Sequence, residues 1–465
     1  MYKNTEHTKI IDAMTSEGSG IARIDGYTVF IPGAITGDTV RFLVVKENKK
    51  YGFGKLLEII NSSPDRVAPE CATFSKCGGC TLSAMNYGAQ LEFKRKKVYD
   101  AITRIGGFTD IENVDIIPSN PCYGYRNKAQ FPLSEFNGEI KAGFYAPHSH
   151  RVVPTDFCAL SPARSNEIVY SCVEWFNKNN TEAYNEITKK GALRHICIRS
   201  GKNETMLVFV TAKPIKNISQ LTSFLAEKYS EIVGVVENYN PEDTNVIYGT
   251  DDRIIFGRPY IIDTIGNLKY KIHYKSFYQV NPYTTLPLYE KALELSGVDE
   301  TKTVFDLYCG GGTISLFLAQ KAKSVIGIEI VEESIINARE NAGLNNIENA
   351  EFYCGAAEEV APKLIKDGIK ADVVVLDPPR KGCDEKLLKA VGEMKPERIV
   401  YVSCDCATMA RDAKFLSQYG YAPTYVTAAD QFPQTSHVET VVLLTQMKPD
   451  DYVIIELNEE DLRKI

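Results

Sequence analysis

Hydrophobic and polar positions change rhythm three times along the chain. Over residues 1–62, short alternating runs such as Tyr27–Phe30 and Thr39–Val45 are separated by Gly18, Gly20, Gly26, Pro32, Gly33 and Gly37. A period of two broken by glycine turns predicts several short strands, the pattern of a small closed barrel. A linker with Ser62, Ser63, Pro64 and Pro69 follows. Residues 71–275 then mix two patterns. Strand-like runs (Ile196–Ser200, Met206–Thr211, Val233–Glu237) alternate with helical stretches (Gln90–Ile105, Pro162–Lys178, Ile218–Lys228), which predicts an α+β domain. In Gln90–Ile105 the apolar side is expected at Leu91, Val98 and Ile102. Over residues 276–465 short, nearly all-apolar runs (Val304–Leu307, Val325–Glu329, Val373–Leu376, Ile399–Ser403) alternate with helices (Thr313–Lys321, Glu332–Ala342, Ala407–Leu416). That rhythm predicts a parallel sheet covered on both faces.

Charge changes this picture little. The 465 residues carry a formal charge of −7, which argues against a purely electrostatic nucleic-acid binder but leaves room for local basic patches. One such run is Lys94, Arg95, Lys96 and Lys97, readable equally as an RNA contact or a solvated helix face. The first ten residues are mostly polar and no apolar run approaches the ~20 residues of a membrane helix, so a cytoplasmic protein is expected. In a reducing compartment, clustered members among the 12 cysteines point to metal binding or catalysis rather than disulfides.

Two motifs sit where the third region's strands meet its helices. Asp306-Leu307-Tyr308-Cys309-Gly310-Gly311-Gly312-Thr313 lets the backbone turn sharply against a ligand, and Glu329 ends the next strand, where a carboxylate accepts from ribose hydroxyls in doubly wound folds. The G-x-G-x-x-G dinucleotide fingerprint is absent; the turn resembles motif I of Rossmann-like methyltransferases, which bind S-adenosylmethionine. Leu376-Asp377-Pro378-Pro379-Arg380 ends another buried strand. Alone it would also suit enzymes that methylate exocyclic amino groups.

The strand Ile399–Ser403 delivers Cys404 to its carboxyl end, ahead of a helix whose amino terminus is expected to favour the thiolate. His437-Val438-Glu439 introduces the last apolar strand, Val441–Leu444. Ser403-Cys404, Asp377-Pro378-Pro379-Arg380 and His437-Val438-Glu439, in this order, resemble the RNA (uracil-5-)-methyltransferase family, and the similarity spans nearly the whole chain. Glu17–Ala22 followed by Val29–Gly33 resembles the RNA-binding TRAM domain. The resemblance implies a multidomain α/β protein: a TRAM-like β-barrel (1–62), a central α+β domain with an Fe–S cluster (71–275) and a Rossmann-like S-adenosylmethionine-dependent methyltransferase domain (276–465). It further implies Cys404 as nucleophile, Glu439 as proton acceptor, and Gln279, Tyr308, Glu329 and Asp377 around S-adenosylmethionine. The chemistry needs those residue types. C5 of uracil is a weak nucleophile until a thiolate adds at C6, and the C5 proton must then leave to a base. Amino-group methylation needs neither. The target base must be flipped or already unpaired. Cys406 departs from the family's Pro or small residue and is expected to pack rather than pair with Cys404.

Cys71, Cys77 and Cys80 lie within ten residues, with Gly78-Gly79 between the last two, and Cys158 follows later. Such thiolates can wrap one metal centre, zinc included. The spacing is similar to that of the [4Fe-4S] cluster in the family's ribosomal-RNA branch, and is not the Cys-x3-Cys-x2-Cys of radical enzymes. Cys122 and Cys172 are weaker candidates for the fourth ligand. Tyr123–Gln130, with two tyrosines and two cations, and Arg194, His195 and Arg199 are expected to face RNA. The resemblance implies 23S rRNA as substrate, with a tRNA T-loop uridine as the alternative. A non-catalytic RNA-binding Fe–S protein is the reading from another class.

Overall fold

The computed structural model describes residues 2–447. The amino-terminal six-stranded sheet runs in the order Glu6–Ile10, Thr39–Glu47, Tyr51–Asn61, Tyr27–Ile31, Gly20–Ile24, Ala13–Met14. It curls round a small core of Ala22, Val29, Ile31, Val40, Phe42 and Val44. The linker is stapled to this unit by Arg66, whose guanidinium donates to the buried Asp38 carboxylate at 2.5 and 2.9 Å. Burial alone would raise the Asp38 carboxyl; Arg66 and the N–H groups of Ser63 and Ile35 hold it below the usual range instead.

The central sheet has seven strands, in the order Val152–Pro154, Glu139–Tyr145, Lys128–Phe136, Leu193–Ser200, Thr205–Thr211, Ile232–Tyr239, Asp251–Gly257. Helices Ala163–Lys178 and Ile218–Lys228 cover one face through Phe131, Ile168, Phe176, Phe209 and Leu221. The other face, through Cys197, Met206, Val208 and Val236, enters the core of the carboxyl-terminal unit. Strands buried on both sides explain why Thr205–Thr211 reads as an unbroken apolar run.

The carboxyl-terminal sheet contains β1 (Thr303–Leu307), β2 (Ser324–Glu329), β3 (Ala350–Cys354), β4 (Val373–Leu376), β5 (Arg398–Ser403), β6 (Tyr421–Ala429) and β7 (Glu439–Gln446). Its order is β3-β2-β1-β4-β5-β7-β6, with β7 antiparallel to both neighbours and the others parallel where they pair. An eighth strand, Asp115–Ile117, pairs with β6 from far up the chain.

The segment that supplies this strand brings two corrections. Helix Tyr87–Asp100, continued by a wide turn over Ala101–Gly106, does not bury Leu91 fully; its inward face is Gln90, Lys94 and Val98, followed by Ala101 and Ile102. Lys94 is fully buried, paired with Asp430 and donating to the Phe432 carbonyl at 2.9 Å. It is neither solvated nor free for RNA. A basic run in sequence cannot show that one lysine in four meets a buried carboxylate from residue 430.

Candidate functional site

All six residues singled out from the sequence for catalysis or cofactor binding line one cavity of about 1970 Å³: Gln279, Tyr308, Glu329, Asp377, Cys404 and Glu439. The sheet explains the convergence. Tyr308 directly follows β1, Glu329 ends β2, Asp377 follows β4 and Cys404 follows β5. In register, Ser403 of β5 lies opposite Thr440 of β7, whose hydroxyl donates to the Ser403 carbonyl at 3.2 Å. Cys404 therefore lies just past the end of β5, and Glu439 at the start of the adjacent antiparallel β7. Ligands in open α/β sheets bind at this carboxyl edge.

The turn after β1 is shaped for close approach. Tyr308 holds φ +69° and Gly312 φ +78°. A Cβ on Gly312 would meet Ala338 and Phe352 at 3.1–3.2 Å, so a side chain there would be strained twice over. Glu329 is held by the Gly310 and Val331 amides at 3.2 and 3.0 Å. Asp306 is fully buried; one carboxylate oxygen accepts from Ser315 at 2.5 Å and the other has no partner. Gln279 is fixed from behind. Its side-chain oxygen accepts from Gln431 at 3.2 Å, and its carbonyl accepts from Asn127 at 2.9 Å.

The electrostatics differ from the sequence expectation at the thiol. Helix Cys406–Ser417 does begin beside Cys404, but the Asp405 side chain accepts from the Ala407 and Thr408 amides at 3.0 Å, so the first-turn donors are capped. Burial, then the neighbouring Glu439 and Asp377 carboxylates, push the Cys404 thiol up to about 11, with Arg380 pulling the other way. Glu439, 3% exposed, is pushed up to about 8 by burial and by Asp377, again opposed by Arg380. Asp377 is raised to about 7 by burial and by Asp306. The cavity wall thus gathers carboxyl groups that a bound cation would help to ionise, which fits a sulfonium ligand.

Arg380, which stood in Asp-Pro-Pro-Arg with no assigned role, lines the same cavity and is the cation that opposes the rise of both Cys404 and Glu439. Gln431 carries no local signal of its own, and Asp306 stood in the glycine-turn motif without an assigned role. Cys406 is buried against the Lys97 carbonyl at 3.9 Å, the packing role expected for it.

Cys158 and Cys71 are among the charged neighbours that raise Cys77 and Cys80, so the four thiols fall in one region of the fold. All four are partly buried and free. Gly78 seats the loop, its amide donating to the Tyr145 carbonyl at 3.0 Å; a Cβ there would lie 3.2 Å from that oxygen. Among the described residues, no three His, Cys, Asp or Glu side chains stand close enough to hold a single ion. Cys172 lies fully buried in the core of the central domain.

Of the two stripes expected to face RNA, the second and Tyr125 of the first are structural, while Tyr123, Arg126 and Lys128 are only partly buried. Tyr125 is buried and donates to the Pro433 carbonyl at 3.0 Å. Arg194, His195 and Arg199 are all buried; Arg194 donates to the Asn240 and Glu242 carbonyls, and Arg199 to that of Ser276 at 2.6 Å. Central strands turned these side chains inward; backbone carbonyls engage Arg194 and one nitrogen of Arg199, while Arg199 Nε and Nη1 and His195 Nδ1 are buried without a partner among the described residues.

Known proteins resemble the chain over nearly its whole length. Residues 238–447 match the family described as tRNA (Uracil-5-)-methyltransferase, and residues 4–57 match the TRAM domain. Uncharacterized RNA methyltransferases of Clostridium tetani and Halalkalibacterium halodurans are 45% and 44% identical, each over 95% of this chain and 97% of theirs. The crystal structure of Pyrococcus abyssi tRNA (uracil-54, C5)-methyltransferase in complex with S-adenosyl-L-homocysteine is 30% identical, with a TM-score of 0.78 over 94% of this chain and 100% of that one. Among the described residues no helix is long and apolar enough to cross a membrane.

Proposed function

The chain belongs to the RNA (uracil-5-)-methyltransferase family, and from that membership we propose that it methylates C5 of a uridine in 23S rRNA, with Cys404 as nucleophile and Glu439 as proton acceptor. The observation that carries this reading is a thiol just past the end of β5 and a buried carboxyl at the start of the adjacent β7, charge neighbours on the wall of one cavity.

Tyr308, Glu329, Asp377 and Gln279 would hold S-adenosylmethionine, which would supply an electrophilic methyl group and leave as S-adenosylhomocysteine. Cys404 adds to C6 of the uracil and makes C5 nucleophilic. After transfer, Glu439 removes the C5 proton, and elimination expels the Cys404 sulfur and restores the ring. Because the thiol and Glu439 both resist ionisation in the free cavity, positive charge from Arg380 and the donor is needed to prepare them.

RNA carrying 5-fluorouridine tests the mechanism, since fluorine cannot leave as a proton. A stable covalent adduct is expected with the parent protein and none with Cys404→Ser; an active enzyme that forms no adduct would overturn the reading. Glu439→Gln should instead accumulate the methylated adduct on ordinary RNA.

The rRNA assignment rests on the likeness of Cys71, Cys77, Cys80 and Cys158 to the ligands of a [4Fe-4S] cluster in the ribosomal-RNA branch. That likeness is one of sequence spacing, and among the described residues the four side chains do not stand as a ready metal site. The similarity to an enzyme named for uridine 54 of tRNA favours tRNA as the second reading. Nucleoside mapping of rRNA and tRNA from a deletion strain separates them: 5-methyluridine should disappear from 23S rRNA and persist in tRNA.

A further inference from the structure

A carboxylate with no acceptor site to spare grips the turn that carries Arg380. After β4 the chain reverses over Pro379–Gly382, where the Gly382 amide donates to the Pro379 carbonyl at 2.8 Å. Asp412 meets this turn from helix Cys406–Ser417, the helix that follows Cys404. Its Oδ2 accepts from the Cys383 amide at 2.8 Å and from the Tyr401 hydroxyl at 2.6 Å. Its Oδ1 accepts from Arg411 Nε and Nη2 at 2.8 and 2.6 Å. The same Nη2 donates to the Lys381 carbonyl at 3.0 Å. Arg411 and Asp412 therefore hold the chain on both sides of Gly382. Gly382 is part of the fit: it sits at φ +79°, and a Cβ there would run into Arg411 Nη2 and lie 2.6 Å from Asp412 Oδ2.

Asp412 lines the cavity but is 1% exposed, and four donors use the roughly four acceptor sites of a carboxylate. Nothing is left over for a ligand. What the carboxylate does is join three parts of the site: the turn that carries Arg380, β5 through Tyr401, and the helix behind Cys404. Arg380 itself is exposed, so the backbone of the turn, not burial of the side chain, sets its place. That place matters electrostatically. The charges around the Cys404 sulfur are Glu439 on β7, Asp377 after β4, Asp405 at the helix start, and Arg380, the cation among them. Around Glu439 they are Asp377 and again Arg380.

We propose that Asp412 and Arg411 are positioning residues: by clamping Lys381–Cys383 they hold Arg380 against the wall that carries Cys404 and Glu439. This rests on the reading of Cys404 as nucleophile given above.

The test is the rate of iodoacetamide alkylation at Cys404 between pH 7.5 and 9.5, measured on the full chain by mass spectrometry of its peptides. In that range the rate follows the thiolate fraction. The exposed Cys354, outside the cavity wall, is the internal reference. Asp412→Asn leaves one acceptor oxygen for four donors. Its Cys404 rate should fall about threefold, the equivalent of about half a pH unit, with Cys354 unchanged. Gly382→Ala and Arg411→Gln should act in the same direction; the Arg411 side chain is 54% exposed, so that variant keeps the test open where the others fail to fold. In an Arg380→Met background, Asp412→Asn should add nothing further. Parental rates in the folded clamp variants would overturn the proposal. So would an undiminished fall in the Arg380→Met background, the result expected of a brace that acts on the fold alone. Methyl transfer gives a second readout: the kcat/KM deficit of Asp412→Asn should shrink as pH rises, and a deficit independent of pH would count against the clamp. Failure of the catalytic reading looks different. A parent protein that forms no 5-fluorouridine adduct, while its variants show these alkylation shifts, would remove Cys404 as nucleophile and leave the clamp standing.

Discussion

At the scale of single residues, the cavity trades stability for chemistry. A carboxyl whose folded pKa lies above its unfolded value binds more protons folded than unfolded between the two, so stability falls as pH rises across that window. For Asp377 the window runs from about 4 to about 7, and at higher pH the full cost of a buried, ionised group is present. Asp377→Asn should therefore stabilise the cofactor-free protein by on the order of 2 kcal/mol at pH 9 and by little at pH 4. Thermal unfolding at the two pH values measures this. The pH profile of methyl transfer offers a second expectation. Glu439 must be ionised to accept a proton and sits near 8, so kcat/KM should rise with pH through that region. Arg380 lowers both Glu439 and Cys404; Arg380→Met should move the rising limb to higher pH, and an unmoved limb would remove Arg380 from this role. Motif and neighbouring elements made Tyr308, Glu329, Asp377 and Cys404 legible, because each stands at the tip of an apolar run. The ionisation states were not legible, since they depend on groups such as Asp377 and Glu439, 62 positions apart in the chain, brought within one wall.

Among elements, the loop between β6 and β7 is held by contacts that no local pattern announces. Helix Tyr87–Asp100 reaches it with Gln90, which exchanges hydrogen bonds with Gln434 at 2.9 and 3.1 Å, with Lys94 on Asp430, and with Lys97 on Ser436. The Thr81 and Leu82 amides, directly after Cys80, donate to the Gln434 carbonyl. Gln434 itself sits at φ +71°. Removing the buried ammonium leaves Asp430 uncompensated, so Lys94→Met should cost about 3–5 kcal/mol, read from denaturant unfolding. The double variant Lys94→Met/Asp430→Leu should recover most of that loss. Burial also lowers the Lys94 pKa, which shows the desolvation that the pair must offset.

For the whole molecule, the same loop stands between the segment that follows Cys80, the amino-terminal unit bridged by Lys97, and the cavity wall that carries Glu439. If Cys71, Cys77, Cys80 and Cys158 hold a [4Fe-4S] cluster, anaerobically purified protein should contain iron and sulfide in equal amounts, and Cys80→Ser should lose both. Because Thr81 and Leu82 follow Cys80 into the loop, that variant should also show faster amide hydrogen exchange over residues 430–437. The sequence by itself determined the elements and their order. Alternation, glycine turns and buried runs are local consequences of which side chains can face water, and motifs at strand tips locate a ligand edge. Only the tertiary structure decided that Lys94, Arg194, Arg199 and Tyr125 are buried braces, that Asp115–Ile117 completes a sheet built some 200 residues later, and that Cys404 and Glu439 are neighbours on one cavity wall. Burial and partnership are properties of assembled surfaces, and a one-dimensional pattern carries no distance between positions 94 and 430.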